Sequence, residues 1–550
     1  MNDYSILIGG KAGEGINRAG SVIVRILSHL GYCQYMYYDY PSLIRGGHNF
    51  ALVRASTHRI GTHRNAVEFL LALDQDTVDV HRWRCSDGTA VLFNANKVDA
   101  EGMGIPIDDI VEEEGGSSVM VNTCLIGAFG RAAGIPWATM EEVLTLEIPK
   151  KIETNLRIAR RGYDAVEEQT PIPRQEAARH PILTGNEAIG LGLLDAGLDA
   201  YVAYPMTPSS GLLHFLAGVA GDFALKVIHP ENEIAVMLMA QGAAYAGART
   251  AVGTSGGGFC LMTEGLSMAG MTEVPVTIVM AQRGGPSTGT PTYTAQGDLH
   301  FILNAGQGEF PRFVISPGNI EQAYEWSARA LNLSWKYQVP SILLEDKTLA
   351  EGAYSFDRDM TTPVGREAVA RRDGGSPYRR YAATETGVSP LATVPLEGEV
   401  IKANSYHHDE RGITTEDPAL VAWLNEKRMR KEDAMLEEID RLSPVTTAGD
   451  GSADTALLCW GSNIGVCAEV AGEAGLKVIQ PIVLSPFPVQ AFNTALENVT
   501  VLIAVEDNIT GQLTRLVEGL GCCVDDAILR YDGRPFSLEE LREQVREVVA

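Results

Sequence analysis

Short apolar runs that end in glycine and lead into stretches of helical period recur along this chain. Residues 5–10, SILIGG, form one such run. KAGEGINRAG follows, and then apolar positions at Ile16, Val22, Ile23, Ile26, Leu27 and Leu30. That spacing predicts a strand, a glycine turn and an amphipathic helix. Strand-like runs at 35–40, 49–55, 69–73 and 89–93, with helices from about Val121 and Met140, extend this first α/β region to residue 170. A polar, proline-containing stretch at 167–180 separates it from the helical pattern TGNEAIGLGLLDAG. Strands predicted at 200–204, 225–228, 250–253, 276–280, 312–315 and 341–344 then alternate with helices. Such alternation predicts a mostly parallel sheet covered on both faces. Residues 360–450 turn richer in Arg, Asp, Glu and Gly, with 418–439 patterned as an exposed amphipathic helix. A third α/β unit is expected from strands at 455–460, 476–482 and 499–505 and a last one near 522–524. The domains read as 1–170, 181–360 and 451–550, with a connector at 361–450.

Composition narrows what such a chain does. At 550 residues it is too long for one hydrophobic core. With 70 acidic against 44 basic residues its formal charge is -26, which argues against nucleic-acid or anionic-membrane binding. No window holds the roughly 18 uninterrupted apolar residues of a membrane span. The amino terminus enters a strand without a basic, apolar leader, so a cytoplasmic location is expected. Eight cysteines lack any C-x-x-C spacing, so neither an iron-sulfur cluster nor a structural zinc is expected in this chain, and no metal ligands are assigned. Cys522 and Cys523 read as small buried hydrophobes at a strand start.

The candidate chemistry gathers in loops at strand ends, where open α/β sheets keep it. YPMTPSS (204–210), HPENEIAV (229–236), TSGGG (254–258) and QRGGPSTGTPTYT (282–294) combine Thr, Ser, Gly and Pro with one Arg and one Glu at a helix start. Glu233 precedes a helix of small residues. Helix capping alone would explain a carboxylate there, whereas aimed at a heteroaromatic nitrogen it would be a proton donor. Arg283 suits bidentate grip of a carboxylate with Thr hydroxyls beside it, or it ties down its own loop. Thr207, between two prolines, has a restricted hydroxyl direction. IGGKAGEG (8–15) opens a helix with glycines as a phosphate loop does, without the G-x-G-x-x-G spacing of a nicotinamide site. IRGGHN (44–49) adds Arg45 and His48, for which a 3'- or pyrophosphate and a surface hairpin are both open. His407 and His408 in HHDERG read as solvated or interface residues.

Taken together, YPMTPSS, ENE before a small-residue helix, TSGGG and QRGGPSTGTPT closely resemble the α subunit of 2-oxoacid:ferredoxin oxidoreductases. IGGKAGEG with IRGGHN resembles the γ domain of the same enzymes, and EDNITGQL (506–513) their transketolase C-terminal-like domain. The order γ, pyrimidine-binding domain, C-terminal domain is similar to a γ-α fusion. HHDERGITTEDP and the helix with Lys427, Arg428 and Lys431 look most like the 2-oxoglutarate type. The resemblance implies an enzyme, active only with a β subunit, that uses thiamine diphosphate shared between the two chains. It would decarboxylate a 2-oxoacid, pass two electrons to ferredoxin and release an acyl-CoA, or run in reverse. On that resemblance Glu233 bonds the aminopyrimidine ring and moves a proton there, with Tyr204 and Pro205 also at the cofactor. Thr207, Arg283 and Thr292 receive the substrate carboxylate. Gly13, Arg45 and Gly46 are its candidates for coenzyme A. GDGSAD (449–454) looks like half of a Mg-diphosphate motif but lacks the Asn pair, and reads as a linker turn. Mg and a [4Fe-4S] cluster are therefore expected in the β subunit, within an (αβ)2 heterotetramer.

Three other readings stay open at this point. A sibling activity on pyruvate, branched or aryl 2-oxoacids would use the same Thr207, Glu233 and Arg283. A non-catalytic assembly subunit would keep the loops as scaffold. A nicotinamide-dependent dehydrogenase would need the missing glycine fingerprint.

Overall fold

The computed structural model describes residues 2–43, 46–372 and 376–549. Its contacts divide the chain into two units, Met1–Thr184 with Glu351–Asp357 and Phe536–Ala550, and Gly185–Ala350 with Arg358–Pro535.

In the first unit the apolar run becomes strand Asp3–Lys11, antiparallel to His48–Ser56 on one side and parallel to Phe69–Ala72 on the other. Gly15 adopts φ 74 and turns the chain into helix Ile16–His29, which buries Val22, Ile23, Ile26 and Leu27 as its period requires. Helices Val121–Ala132 and Ile152–Asp164 approach until a Cβ on Gly127 would lie 2.0 Å from the Ala159 carbonyl oxygen. Two three-residue strands absent from the sequence expectation, Ile182–Thr184 and Ala353–Ser355, complete the edge of an eight-stranded sheet. They are too short for a period of two to register. The closing helix Leu538–Val549 belongs here too, held where Thr62 Oγ1 donates to the Phe536 carbonyl at 3.0 Å.

The second unit contains the sheet that carries the candidate loops. Its strand order is Val483–Ser485, Phe313–Ile315, Pro340–Asp346, Val276–Gln282, Thr250–Thr254, Ala200–Ala203, Lys226–Ile228. All neighbours are parallel except the first pair. Strands Thr250–Thr254 and Val276–Gln282 are buried along their whole length, as continuous apolar runs in a two-sided parallel sheet should be. Ala200–Ala203 and Thr250–Thr254 are neighbours, and the crossovers that leave them, to Lys226–Ile228 and to Val276–Gln282, run in opposite directions. That reversal opens a crevice at the carboxyl ends of the strands.

A five-stranded sheet follows, ordered Val445–Gly449, Lys477–Pro481, Thr455–Cys459, Val501–Glu506, Asp526–Leu529. GDGSAD forms the turn after Val445–Gly449, with Asp450 accepting from Ser452 N and Oγ at 2.8 and 2.7 Å. The last strand starts later than the sequence suggests. Cys522 and Cys523 precede it in a loop, the first part-buried and the second exposed, because helix Gln512–Gly519 ends before them and the intervening residues make the crossover.

The segment expected as one exposed helix is two, Pro418–Met429 and Lys431–Asp440, and its cations face inward. Lys427 and Lys431 are each 1% exposed and reach Glu273, itself buried, at 3.0 and 2.7 Å. Arg380 donates to the Glu273 carbonyl at 2.5 Å. One buried residue thus organises three cations, the two lysines through its carboxylate and Arg380 through its backbone carbonyl, and charge in the helix pattern disguised a core face. His408 is likewise not solvated: its ring centroid lies 3.8 Å from that of Tyr381, and it is fully buried.

Candidate functional site

The loops after strands Lys226–Ile228, Ala200–Ala203, Thr250–Thr254 and Val276–Gln282, four neighbours in the sheet, all emerge on one edge. Helix Glu233–Tyr245 follows the first of them, and the capping explanation for Glu233 is tested at its start. Asn232 is the N-cap, its side chain accepting from Ala235 N at 3.0 Å. Glu233 is thereby released from that role. It is 3% exposed, and its Oε1 has no hydrogen-bond partner. The carboxylate lies against Gly258 in the first turn of helix Gly256–Thr272, where an added Cβ would stand 2.5 Å from Oε1 and 2.2 Å from Thr254 Oγ1. The TSGGG glycines let one helix start close over the carboxylate at another.

Across the crevice, Arg283 Nη1 donates to the Thr207 carbonyl at 2.8 Å, so these two candidates meet. This bond crosses between loops; it does not tie Arg283 to its own. Its Nε is buried without a partner, and burial pushes the guanidinium below its usual range while Asp298 opposes that shift. The loop folds back on itself, Gly284 N donating to Tyr293 O at 3.2 Å and Thr290 N to Gly284 O at 2.8 Å. Thr292 and Thr294 are thereby buried with both hydroxyls unpartnered. The second unit's carboxyl-terminal part braces the same loop: Thr294 N donates to Gly533 O at 3.1 Å, and Gln296 N to Asp507 O at 2.7 Å. Arg534 stacks on Tyr293 at 3.8 Å. Tyr204 is exposed beside Pro205 and packs edge-on to His229 at 5.7 Å.

Asp298 is the charged residue the sequence reading passed over. No motif marks it, and the only signal was an acid just before a helix in QGDLH. Burial pushes its carboxyl up to about 6, with Arg283 acting in the other direction.

In the first unit, Gly13 at φ 100 has open space around its Cβ position. With Gly15, Arg18, Ser21, Tyr38 and Asn49 it lines a cleft of about 480 Å³. Gly46 has φ 77 and open space as well, whereas Arg45 lies outside the described residues. His48 is engaged by a second imidazole. Its Nε2 sits 2.8 Å from Nε2 of His81, and burial depresses both imidazoles, His81 to about 3.

The crevice therefore gathers Glu233 Oε1, Ser255 Oγ, Arg283 Nε, Thr292 Oγ1 and Thr294 Oγ1, all buried and unpaired within the described residues. Each such atom costs roughly 1–3 kcal/mol unless something bonds to it. The donor set fits a polar heteroaromatic ring at Glu233 and an anion at Arg283 and the threonines. Among the described residues no group of three or more His, Cys, Asp or Glu is placed to hold a metal, and no helix is long and apolar enough to cross a membrane.

Comparison with known proteins is consistent with this chemistry. Residues 192–425 match the family model described as pyruvate flavodoxin/ferredoxin oxidoreductase, thiamine diphosphate-binding, and residues 5–165 match pyruvate ferredoxin/flavodoxin oxidoreductase. The 2-oxoacid:ferredoxin oxidoreductase subunit alpha of a Sulfolobus species is 31% identical over 99% of this chain and 97% of its own. The 2-oxoglutarate oxidoreductase subunit KorA of Mycobacterium tuberculosis is 30% identical over 67% of this chain and 57% of its own. Among solved structures, the 2-oxoglutarate:ferredoxin oxidoreductase of Magnetococcus marinus, with 2-oxoglutarate, coenzyme A and succinyl-CoA bound, superposes with a TM-score of 0.90. It is 28% identical, and the match covers 100% of both chains.

Proposed function

The chain belongs to the 2-oxoacid:ferredoxin oxidoreductase family as an alpha subunit, and from that premise we propose that it serves a 2-oxoglutarate:ferredoxin oxidoreductase. The reaction joins a 2-oxoacid and CoA, releases CO2 and an acyl-CoA, and passes two electrons to ferredoxin; the reverse carboxylation uses the same groups. The 2-oxoglutarate assignment is supported by the end-to-end likeness to the Magnetococcus marinus enzyme and by the KorA relatives.

The observation that carries the catalytic reading is Glu233, a buried carboxylate whose capping duty belongs to Asn232 and whose Oε1 is left unpaired. Glu233 would hold the aminopyrimidine ring of thiamine diphosphate, with Tyr204 and Pro205 beside it. When bound, that cofactor would supply a nucleophilic carbon and an electron sink for decarboxylation. Glu233 would hold and return a proton at the ring nitrogen, its Oε1 being free of any other hydrogen bond among the described residues. Arg283 and the hydroxyls of Thr207 and Thr292 orient the substrate carboxylate by charge-assisted hydrogen bonds. Gly258 lets a helix start lie over the Glu233 carboxylate. In the amino-terminal unit, Gly13 and Gly46, with Arg45, are assigned to coenzyme A, the cleft beside Gly13 supporting the first of these.

A β subunit is proposed to supply Mg, the diphosphate site and a [4Fe-4S] cluster, in an (αβ)2 assembly in the cytoplasm. The helices around Glu233 support this. Ile234, Leu238 and Met239 on one, and Leu261 and Met268 on the next, are exposed apolar side chains beside the crevice, a face suited to a partner chain. The deciding experiment is to purify the chain with its β subunit and test a 2-oxoacid panel with CoA and a viologen acceptor. Reduction fastest with 2-oxoglutarate is expected. Preference for pyruvate or a branched acid would move the assignment to a sibling enzyme, and no CoA-dependent reduction with any 2-oxoacid would end it.

A further inference from the structure

We infer that Arg534 is a positioning residue for the loop that carries Thr292: its guanidinium clamps Tyr293, the next residue, and so keeps the Thr292 hydroxyl where a substrate carboxylate meets it. This rests on the proposal that Arg283 and Thr292 receive that carboxylate. The turn that supplies Arg534 is fixed first. It follows Asp526–Leu529, the last strand of the five-stranded sheet, and Arg530 N donates to Glu506 O of the neighbouring strand at 2.9 Å. Asp532 then closes the turn. Its Oδ1 accepts from Arg530 Nε and from Arg534 N, each at 2.9 Å, and its Oδ2 from Arg530 Nη2 at 3.0 Å. One carboxylate thereby anchors both ends, and the backbone of Arg534 is set independently of what its side chain touches.

From this support two contacts reach the anion loop. Gly533, at φ 81, lies so close that an added Cβ would stand 3.1 Å from Tyr293 Cβ and 3.9 Å from Thr290 Oγ1, and its carbonyl takes the Thr294 amide at 3.1 Å. Arg534 then sets its guanidinium carbon 3.8 Å from the centre of the Tyr293 ring, a close cation–π contact. Within its own loop Tyr293 donates its amide to Thr290 O at 3.1 Å and accepts from Gly284 N at 3.2 Å. Tyr293 is thus held by backbone on one side and by Arg534 on the other. Its chain neighbours Thr292 and Thr294 are buried with unpartnered hydroxyls. A hydroxyl with no bond of its own cannot fix its direction; the clamp on Tyr293 does that for Thr292. The consequence belongs to binding. The carboxylate that Thr292 meets is present in the bound 2-oxoacid and departs as CO2, so a looser loop weakens substrate binding more than it raises the barrier.

The test uses the complex reconstituted with the β subunit, at saturating CoA, with 2-oxoglutarate as probe, or pyruvate if only that is turned over. Arg534→Ala should raise KM about three- to tenfold, the range of one cation–π contact, with kcat moving less. Arg534→Lys keeps a positive charge over the ring and should recover most of that loss. Tyr293→Leu keeps apolar bulk without the ring and should raise KM as much as Arg534→Ala. The double variant should be no worse than either single one, because each removes the same contact. Where Arg534→Ala fails to assemble, Tyr293→Leu and Arg534→Lys still decide. Wild-type KM in Arg534→Ala or Tyr293→Leu, a lysine variant no better than the alanine, or losses that multiply in the double variant overturn the inference. Arg283→Gln separates the two layers: unchanged KM in that variant refutes the carboxylate grip itself, whereas raised KM there beside an unaltered KM in Arg534→Ala refutes only the role of Arg534.

Discussion

Asn232 and Glu233 divide the work at one helix start, and the division makes a test possible. Asn232 caps the backbone, so replacing Glu233 removes no cap. Glu233→Gln is expected to lower kcat of the reconstituted enzyme by about 10² to 10⁴. Its thermal midpoint should hold or rise, because an unpaired buried carboxylate is replaced by a neutral group. Loss of activity with a parallel fall in the midpoint would make Glu233 structural. At this scale the sequence disclosed residue types and spacing, and its motifs named Thr207, Glu233, Arg283 and Thr292. Whether an oxygen is paired depends on what packs over it, and that information lies in Gly258, 25 positions from Glu233. Asp298 was invisible for a similar reason. An acid before a helix is ordinary, and only its approach to Gly256 sets it apart.

At the scale of elements, close approach and buried charge are the two features that linear patterns conceal. Gly127 meets the carbonyl of Ala159, and Gly162 that of Cys124, so the helices Val121–Ala132 and Ile152–Asp164 are in backbone contact. Gly127→Ala should force them apart and lower stability by about 1–3 kcal/mol, read as a lower urea midpoint with unchanged slope. The helices Pro418–Met429 and Lys431–Asp440 were expected to be exposed because Lys427, Arg428 and Lys431 interrupt their apolar period, yet these cations are core residues around Glu273. With one carboxylate shared by Lys427 and Lys431, burial pushes fully enclosed Lys431 down to about 7. Its folded value lies below the unfolded one, so between pH 7 and about 10 the unfolded chain holds the extra proton. Stability contributed here should therefore rise with pH through that window, by at most about 1.4 kcal/mol per pH unit. In Lys431→Met that part of the slope should vanish; equal slopes in urea titrations of the two proteins at pH 7 and 9 would contradict it.

For the whole molecule, β/α alternation was enough to read α/β architecture with parallel-rich sheets, since buried parallel strands must be nearly continuous apolar runs. The strands Ile182–Thr184 and Ala353–Ser355 and the late start of Asp526–Leu529 were not legible. Three residues carry no period, and a strand that begins after a cysteine pair is set by where the preceding helix stops. The proposed dependence on a β subunit has a consequence for activity. The purified chain alone should show no 2-oxoacid-dependent viologen reduction, and adding the β subunit should restore it. Turnover by the chain alone would mean that its own residues complete the cofactor site.

The brace on the anion loop also orders events in time. Thr294 is held by Gly533, about 240 residues further along, and a ribosome adding about 5–20 residues per second needs tens of seconds to make that stretch. Through that interval the nascent chain carries Arg283 and its threonines without the backbone partner that holds their loop. The backbone support of the loop that carries Arg283 is thus completed only once Gly533 has been made.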